Sequence, residues 1–184
     1  MTENGNVFSL GDKHPQIADD VFIAPGAQVM GDVTIGKGSS IWFNCVLRGD
    51  VNTIEVGEGT NIQDGTVVHV SRRTHPTVIG SNVLIGHMAM VHGCILKDWS
   101  LAGLGSSAMD GCVVEEDGML AAGAMLTPGK VIGKGELWGG RPAKLMRTLT
   151  EEQITSNRTA SPHYAQLAQV YRSELKVDCS HFLS

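Results

Sequence analysis

The chain has 184 residues, a formal net charge of −5, 23 glycines, 18% charged residues and only 5% aromatic residues. This composition is too apolar for a disordered chain and too poor in charge for a helical bundle, so it indicates many short strands joined by tight turns. The acidic balance, with no basic cluster beyond Arg72 and Arg73, excludes a nucleic-acid partner because phosphate binding requires a basic surface.

The first sixteen residues, MTENGNVFSLGDKHPQ, lack the basic start and the apolar stretch of a secretory signal. No run approaches the ~20 apolar residues of a membrane span, so we expect no membrane association.

The four cysteines show no CxxC spacing, which indicates free thiols in a reducing compartment and a cytoplasmic location. Three of them, Cys45, Cys94 and Cys112, are predicted to be small core residues.

A six-residue repeat organises the chain from Ile17 onward. It begins IADDVF IAPGAQ VMGDVT IGKGSS IWFNCV, gains three residues in LRGDVNTIE, resumes as VGEGTN IQDGTV VHVSRR, and after THPT runs through ten more hexads from Val78. A hexad with one inward aliphatic residue suits a short strand plus a corner, and three hexads close one coil of about 18 residues. Nineteen hexads therefore predict an all-β solenoid of about six coils, stacked ~4.8 Å apart over residues 17–140.

Residues 1–16 are predicted to be a lead-in to the solenoid, and residues 141–184 a C-terminal extension with one or two helices. The sequence TEEQ at residues 150–153 is a capping box, and Ser161 followed by Pro162 indicates a second helix start. An apolar stripe at helical spacing follows, and we expect it to pack along one face of the solenoid. The stripe consists of Tyr164, Leu167, Ala168, Tyr171 and Leu175.

Hexads that are three apart lie on the same face of adjacent coils, so counting hexads identifies spatial neighbours. His69 belongs to hexad nine and His92 to hexad twelve, which places them on one face, one coil apart. Arg48 and Asp50, in hexad six, lie on the same face one coil below His69. This arrangement predicts a polar cluster on that face.

A second polar cluster is predicted on the preceding face, where His87 of hexad eleven lies directly above Gln63 and Asp64 of hexad eight. A threefold trimer would set one face of each chain against a different face of its neighbour. Each site would then take His69 and His92 from one chain and His87 from the next. Three nitrogen ligands with a position left for water are typical of a catalytic zinc site.

Two segments, LRGDVNTIEVGEGTNIQDGTVVH and GHMAMVHG, resemble the γ-class carbonic anhydrases, and the resemblance extends over roughly residues 14–147. It implies a left-handed parallel β-helix, a homotrimer with sites shared between chains, and reversible hydration of carbon dioxide to bicarbonate. It also implies zinc as the cofactor, with iron or cobalt as alternatives. A bound divalent metal lowers the pKa of its water to about 7, which supplies hydroxide at neutral pH.

The resemblance assigns roles to nine residues. The metal ligands are His69, His87 and His92. The other roles are an interfacial ion pair (Arg48 and Asp50), a partner of the bound water or bicarbonate (Gln63), an anchor (Asp64), a lining residue (Asn61) and a tyrosine near the metal (Tyr164). We expect Val68, Met88 and Met90 to offer carbon dioxide an apolar surface.

The sequence departs from the family pattern at two points. Val51 stands where the best-studied members have a glutamate, and their acidic proton-transfer loop is replaced by the short basic SRRTHP, in which His75 is a candidate substitute shuttle. Two other functions therefore stay open: a coenzyme A thioesterase or acyltransferase of the hexapeptide type, and a catalytically weak trimeric scaffold that keeps the metal as an interface clip.

Overall fold

The computed structural model describes residues 6–176, which form short strands and one long helix. The strands are β1 (Asn6–Phe8), β2 (Gln16–Ile17), β3 (Phe22–Ile23), β4 (Gln28–Ile35), β5 (Ser40–Ile41), β6 (Val46–Val56), β7 (Asn61–Ile62), β8 (Val67–His69), β9 (Thr77–Ile79), β10 (Leu84–Ile85), β11 (Met90–His92), β12 (Ile95–Leu96), β13 (Leu101–Ala102), β14 (Ser107–Ala108), β15 (Val113–Val114), β16 (Met119–Leu120), β17 (Met125–Leu126), β18 (Val131–Ile132), β19 (Glu136–Gly140) and β20 (Ala143–Thr148). The helix is α1 (Glu151–Glu174).

The strands stack in parallel to form the three faces of a left-handed β-helix, which confirms the predicted fold. One face contains β8, β11, β14 and β17, the next contains β9, β12, β15 and β18, and the long strands β4 and β6 bend around the corner between them. The third face contains β3, β5, β7, β10, β13, β16 and β19. Strand partners in the later coils are 18 residues apart, for example Ser107 and Met125, because three hexads complete one coil.

A column of aliphatic side chains fills the interior of the coils, as the repeat predicts. The inward residues of the middle coils are Ile79, Ile85 and Val91, each at most 2% exposed. The hexad division starting at Val78 places the inward position one residue too early in this region and is wrong there. The chain uses eleven residues from Val68 to Ile79 and only five from Val91 to Leu96, and a shift of one residue turns a strand's side chains to the opposite side.

Three cysteines lie in this core as free thiols, which confirms the prediction made for Cys45, Cys94 and Cys112. Burial raises the pKa of Cys45 and of Cys94 to about 12 and also raises that of Cys112. A thiolate is therefore disfavoured at all three positions. The fourth, Cys179, lies outside the described residues.

The C-terminal segment first returns along the solenoid as β20, antiparallel to β19, and then forms a single helix. The predicted capping box is present, since Thr150 and Gln153 exchange hydrogen bonds between side chain and backbone. The second helix start predicted at Ser161 is wrong, because α1 continues through Pro162. Ser161 is buried and donates to Gly59 O at 2.6 Å, so packing against the solenoid outweighs the local signal to start a new helix.

The predicted apolar stripe of α1 covers the third face of the β-helix, along β3, β5 and β7. Tyr171 packs edge-on against Trp42 with ring centroids 5.1 Å apart, and Tyr164 packs against the same indole at 5.7 Å. These contacts confirm the stripe as a packing surface. Among residues 6–176, no helix is both long and apolar enough to cross a membrane.

An ion pair fixes α1 further along the same face. Arg158 donates from Nε to Asp117 Oδ1 at 2.7 Å and from Nη2 to Asp117 Oδ2 at 2.8 Å and Glu116 Oε1 at 2.9 Å. Its guanidinium also lies 5.2 Å from the centre of the Trp99 ring. The helix is therefore held to the solenoid by polar contacts as well as by apolar packing.

Candidate functional site

Two histidines meet on adjacent strands of the β-helix. The parallel register pairs His69 of β8 with His92 of β11, which confirms that they lie on one face, one coil apart. Their rings are 5.1 Å apart between centroids, and His69 Nδ1 lies 3.1 Å from His92 Nε2. Two imidazole nitrogens are thus brought together by the strand ladder.

The other nitrogen of His69 contacts the carboxylate one coil below. His69 Nε2 lies 3.0 Å from Asp50 Oδ1, while Arg48 donates to Asp50 Oδ2 and Lys13 donates to Asp50 O at 2.6 Å. Burial by itself would raise the pKa of Asp50, but the hydrogen bonds from His69 and Arg48 outweigh it and hold that pKa below its ordinary value. Asp50 is therefore an ionised acceptor for the His69 ring.

The other nitrogen of His92 contacts a carboxylate that the sequence reasoning missed. His92 Nδ1 lies 2.6 Å from Asp110 Oδ1, and Ser71 Oγ donates to Asp110 Oδ2 at 2.6 Å. Burial would raise the pKa of Asp110, but the hydrogen bonds from Ser71 and His92 lower it below its ordinary value. The sequence carried a signal for this residue, because Asp110 follows His92 by 18 residues and therefore lies one coil above it. We call this set the strand cluster: Arg48, Asp50, His69, His92 and Asp110.

The third histidine lies at a corner of another face. His87 Nδ1 is 2.6 Å from Asp64 Oδ2, as expected from the hexad count, and the backbone N–H of His87 donates to Gln63 Oε1 at 3.2 Å. Gln63 Nε2 donates to Asn61 Oδ1 at 3.3 Å, and Asn61 Nδ2 contacts Ser161 Oγ of α1 at 3.4 Å. We call this set the corner cluster: Asn61, Gln63, Asp64 and His87.

The two clusters remain separate within one chain. Among residues 6–176, no group of three side chains from His, Cys, Asp or Glu is arranged to hold one metal ion. Tyr164 packs against Trp42 on the third face, and its predicted proximity to a metal stays a prediction. Val68 is fully buried in the core, so its predicted role as a surface for carbon dioxide is wrong, whereas Met88 is 72% exposed.

The donor chemistry of the histidines fits a metal ion. Each of the three rings has one nitrogen at hydrogen-bond distance from a carboxylate oxygen, and the opposite nitrogen remains available as a ligand. Two nitrogens that bind one tetrahedral zinc ion lie about 3.3 Å apart, which is close to the 3.1 Å between the His69 and His92 nitrogens. The residues of the two clusters therefore suit a cation such as Zn²⁺.

Comparison with known proteins places the chain in a family. The family model described as bacterial transferase hexapeptide (six repeats) matches residues 14–49. A carbonic anhydrase of Geobacillus kaustophilus is 38% identical over 167 residues, which cover 91% of this chain and 91% of that protein. The protein "Gamma carbonic anhydrase 2, mitochondrial" of Arabidopsis thaliana is 52% identical over 179 residues, or 95% of this chain. The chain belongs to the γ-class carbonic anhydrase-like family.

The γ-class chain spans 64% of the length of that Arabidopsis relative. A solved structure, a hexapeptide transferase family protein from Anaplasma phagocytophilum, superimposes with a TM-score of 0.87 at 48% identity and covers 90% of this chain and 98% of its own. The hexapeptide match at residues 14–49 ends before all three clustered histidines, so it bears on the β-helix and not on the site. The longer alignments include both clusters.

Proposed function

We propose that this protein is a metal-dependent carbonic anhydrase that catalyses the reversible hydration of carbon dioxide to bicarbonate. The carrying observation is that all three histidines have one ring nitrogen at hydrogen-bond distance from a carboxylate oxygen, in a chain of the γ-class family. This pattern, with two of the free nitrogens 3.1 Å apart, is typical of metal-binding histidines.

The proposed ligands are His69, His87 and His92, and the proposed metal is Zn²⁺, with Fe²⁺ and Co²⁺ as alternatives. A divalent cation supplies Lewis acidity, which lowers the pKa of water and makes it a nucleophile at neutral pH. Because one chain presents the ligands as a pair and a single histidine, we propose that each site forms between two chains of a homotrimer.

The protein's own residues hold the site's polar groups in fixed orientations. Asp50 holds the ring of His69, and Asp64 holds that of His87. Gln63 is 3% exposed, and its amide is oriented by the backbone of His87 and by Asn61. One N–H of Gln63 remains to donate to an oxygen of water or bicarbonate, which is the role we propose for it.

Two further residues complete the proposal. Arg48 balances the charge of Asp50 and, with a side chain 43% exposed, lies where a second chain could contact it. His75 is the proposed substitute for the missing acidic shuttle; its ring lies beside Gly111 and its Cβ beside Gly93, and its buried Nδ1 has no hydrogen-bond partner among residues 6–176. Exchange of protons with buffer would use this imidazole.

The first test combines metal content with activity. Protein purified without oxygen should contain one metal ion per chain, and metal-free protein should regain carbon dioxide hydration when Zn²⁺, Fe²⁺ or Co²⁺ is restored. Hydration is followed by stopped-flow pH indicator. A metal-loaded trimer that does not hydrate carbon dioxide would favour the scaffold alternative, and hydrolysis of acyl-coenzyme A would favour the thioesterase.

Mixing variants tests whether sites are shared between chains. His69→Ala and His87→Ala should each be inactive alone, whereas trimers refolded from an equal mixture should regain about a quarter of the sites, since each site needs one chain of each kind in the right order. Sites built within one chain would give no recovery in the mixture, and that result would contradict the shared arrangement.

The location remains a proposal. Three free buried thiols fit a reducing compartment, for which we propose the cytoplasm. One relative is named as mitochondrial, so fluorescence microscopy or fractionation of the tagged full-length protein is the deciding measurement.

A further inference from the structure

The segment 71–77, which comprises the basic loop SRRTHP and the first residue of β9, contacts the strand cluster at both of its ends. At one end Ser71 Oγ donates to Asp110 Oδ2 at 2.6 Å. At the other end Thr77 Oγ1 donates to His69 O at 2.6 Å and accepts from Gly93 N at 2.9 Å. The loop therefore braces the backbone beside both paired histidines, in addition to one carboxylate.

Asp110 connects this loop to the ring of His92. Its Oδ1 lies 2.6 Å from His92 Nδ1 while its Oδ2 is held by Ser71, so rotation of the carboxylate would break one contact or the other. An ionised carboxylate only accepts hydrogen bonds, which places the proton of the neutral imidazole on Nδ1 and the lone pair on Nε2. That Nε2 is the atom directed toward His69 Nδ1.

We propose that Asp110, held in place by Ser71, is the positioning residue for His92: it fixes the tautomer and ring orientation that present Nε2 to the metal. Asp50 and Asp64 each have an oxygen within 3.0 Å of a ring nitrogen of the other two histidines, so Asp110 completes a set of one carboxylate for each proposed ligand. This inference rests on the proposed metal-dependent function. It gives the basic loop a role in metal binding through the hydroxyl of Ser71.

A purely structural role for Asp110 would predict altered stability and nothing else. Positioning makes two further predictions: a change in the His92 tautomer of the metal-free protein, and a loss of metal affinity. The tautomer is read from the ¹⁵N chemical shifts of the imidazole nitrogens. Affinity is read by competition for Zn²⁺ with a chromophoric chelator.

The test compares Asp110→Asn and Ser71→Ala with a matched control, Asp98→Asn. Asp98 is another corner carboxylate, but its Oδ1 accepts from the backbone N–H of Ser81 at 2.8 Å and not from a histidine. Asp110→Asn should weaken Zn²⁺ binding about 10–100-fold and shift His92 toward a mixture of tautomers. Ser71→Ala should change both quantities in the same direction by less, and Asp98→Asn should match the wild type.

The outcomes separate this inference from the proposed function. If the wild type binds Zn²⁺ and hydrates carbon dioxide while Asp110→Asn keeps full affinity and the wild-type tautomer, the inference is overturned and the function stands. If Asp110→Asn loses affinity but the metal-loaded wild type is inactive, the inference stands and the function is overturned. A wild type that binds none of the three metals overturns both. Should Asp110→Asn fail to fold by circular dichroism, Ser71→Ala decides by the same two measurements.

Discussion

The strand cluster and the corner cluster differ in how much of the proposed metal centre one chain provides. In the strand cluster, two imidazoles lie on paired strands with nitrogens 3.1 Å apart and side-chain exposures of 17% and 24%. In the corner cluster, His87 is alone and its side chain is 41% exposed. The strand cluster would supply two of the three proposed ligands, which we call a half-site, and the corner cluster would supply one.

The difference follows from where the β-helix places each residue. Register between β8 and β11 sets the spacing of His69 and His92, because the backbone ladder aligns paired side chains on one face. His87 lies in the turn after β10, where no neighbouring strand supplies a second imidazole. Its support is the chain of hydrogen bonds through Gln63 and Asn61 to α1. Two paired parallel strands therefore hold two imidazoles close together within one chain. A corner presents a single imidazole that a second chain could contact.

The largest expected effect comes from removing a histidine from either cluster. His92→Ala and His87→Ala should both abolish carbon dioxide hydration, but His87→Ala should retain weak Zn²⁺ binding through the remaining pair. His92→Ala should weaken binding by more than the ~10–100-fold that loss of an outer hydrogen-bond partner costs. Metal content after dialysis and chelator competition measure this, with the exposed His163→Ala as control. Equal residual binding in the two variants would contradict the half-site interpretation.

A pair of glycine substitutions gives the next largest effect. Gly93 and Gly65 both have positive φ, 56° and 70°, so alanine at either costs about 1–2 kcal/mol in backbone strain. A Cβ at Gly93 would lie 2.5 Å from Asp110 Oδ1 and 2.9 Å from His75 Cβ, whereas at Gly65 it would meet the flexible end of Met88 at 2.5 Å.

Gly93→Ala should therefore lower the free energy of unfolding by more than Gly65→Ala does, and it alone should weaken Zn²⁺ binding in the strand cluster. Urea denaturation of the metal-free proteins and chelator competition give the two readings. If Gly65→Ala lowers stability and Zn²⁺ affinity by more than Gly93→Ala does, the strand cluster is not the more closely packed of the two regions.

The fold could be predicted from the sequence because the length of the repeat determines the geometry of a β-helix. One aliphatic residue per hexad fixes the coil, and counting hexads in threes identifies spatial neighbours, which is why the stacking of His69 on His92 and of His87 on Asp64 was predicted. The hexad division is wrong between Val78 and Met90, because the side from Val68 to Ile79 is one residue longer than the division assumes. The side from Val91 to Leu96 is one residue shorter, so the two deviations cancel and the later hexads keep their register. A repeat constrains total length per coil more strongly than the position of each corner.

The rest of the site depends on contacts that a linear pattern does not contain. Asp110 could have been found from its 18-residue distance to His92, but an aspartate before glycine is also an ordinary turn residue. Ser161 combines a helix-start signal with a buried contact to Gly59 O about one hundred positions away, and only tertiary packing decides between them. Such residues are fixed by neighbours that are distant in sequence.

The smallest expected effect is a pH dependence that distinguishes the strand cluster. Asp50 and Asp110 have pKa values below their ordinary range in the folded chain, while the unfolded chain titrates near 3.9. Their contribution to stability is therefore fully present above that unfolded pKa and is lost as the pH falls through the lower folded pKa. In metal-free protein, the decrease in urea midpoint from about pH 5.5 to about pH 3, roughly 2.5 decades of acidity that begin above the unfolded pKa, should be smaller for Asp110→Asn than for the wild type. An unchanged decrease would mean that the contacts of His92 and Ser71 with Asp110 do not stabilise its ionised form, and the strand cluster would then have no electrostatic advantage over the corner.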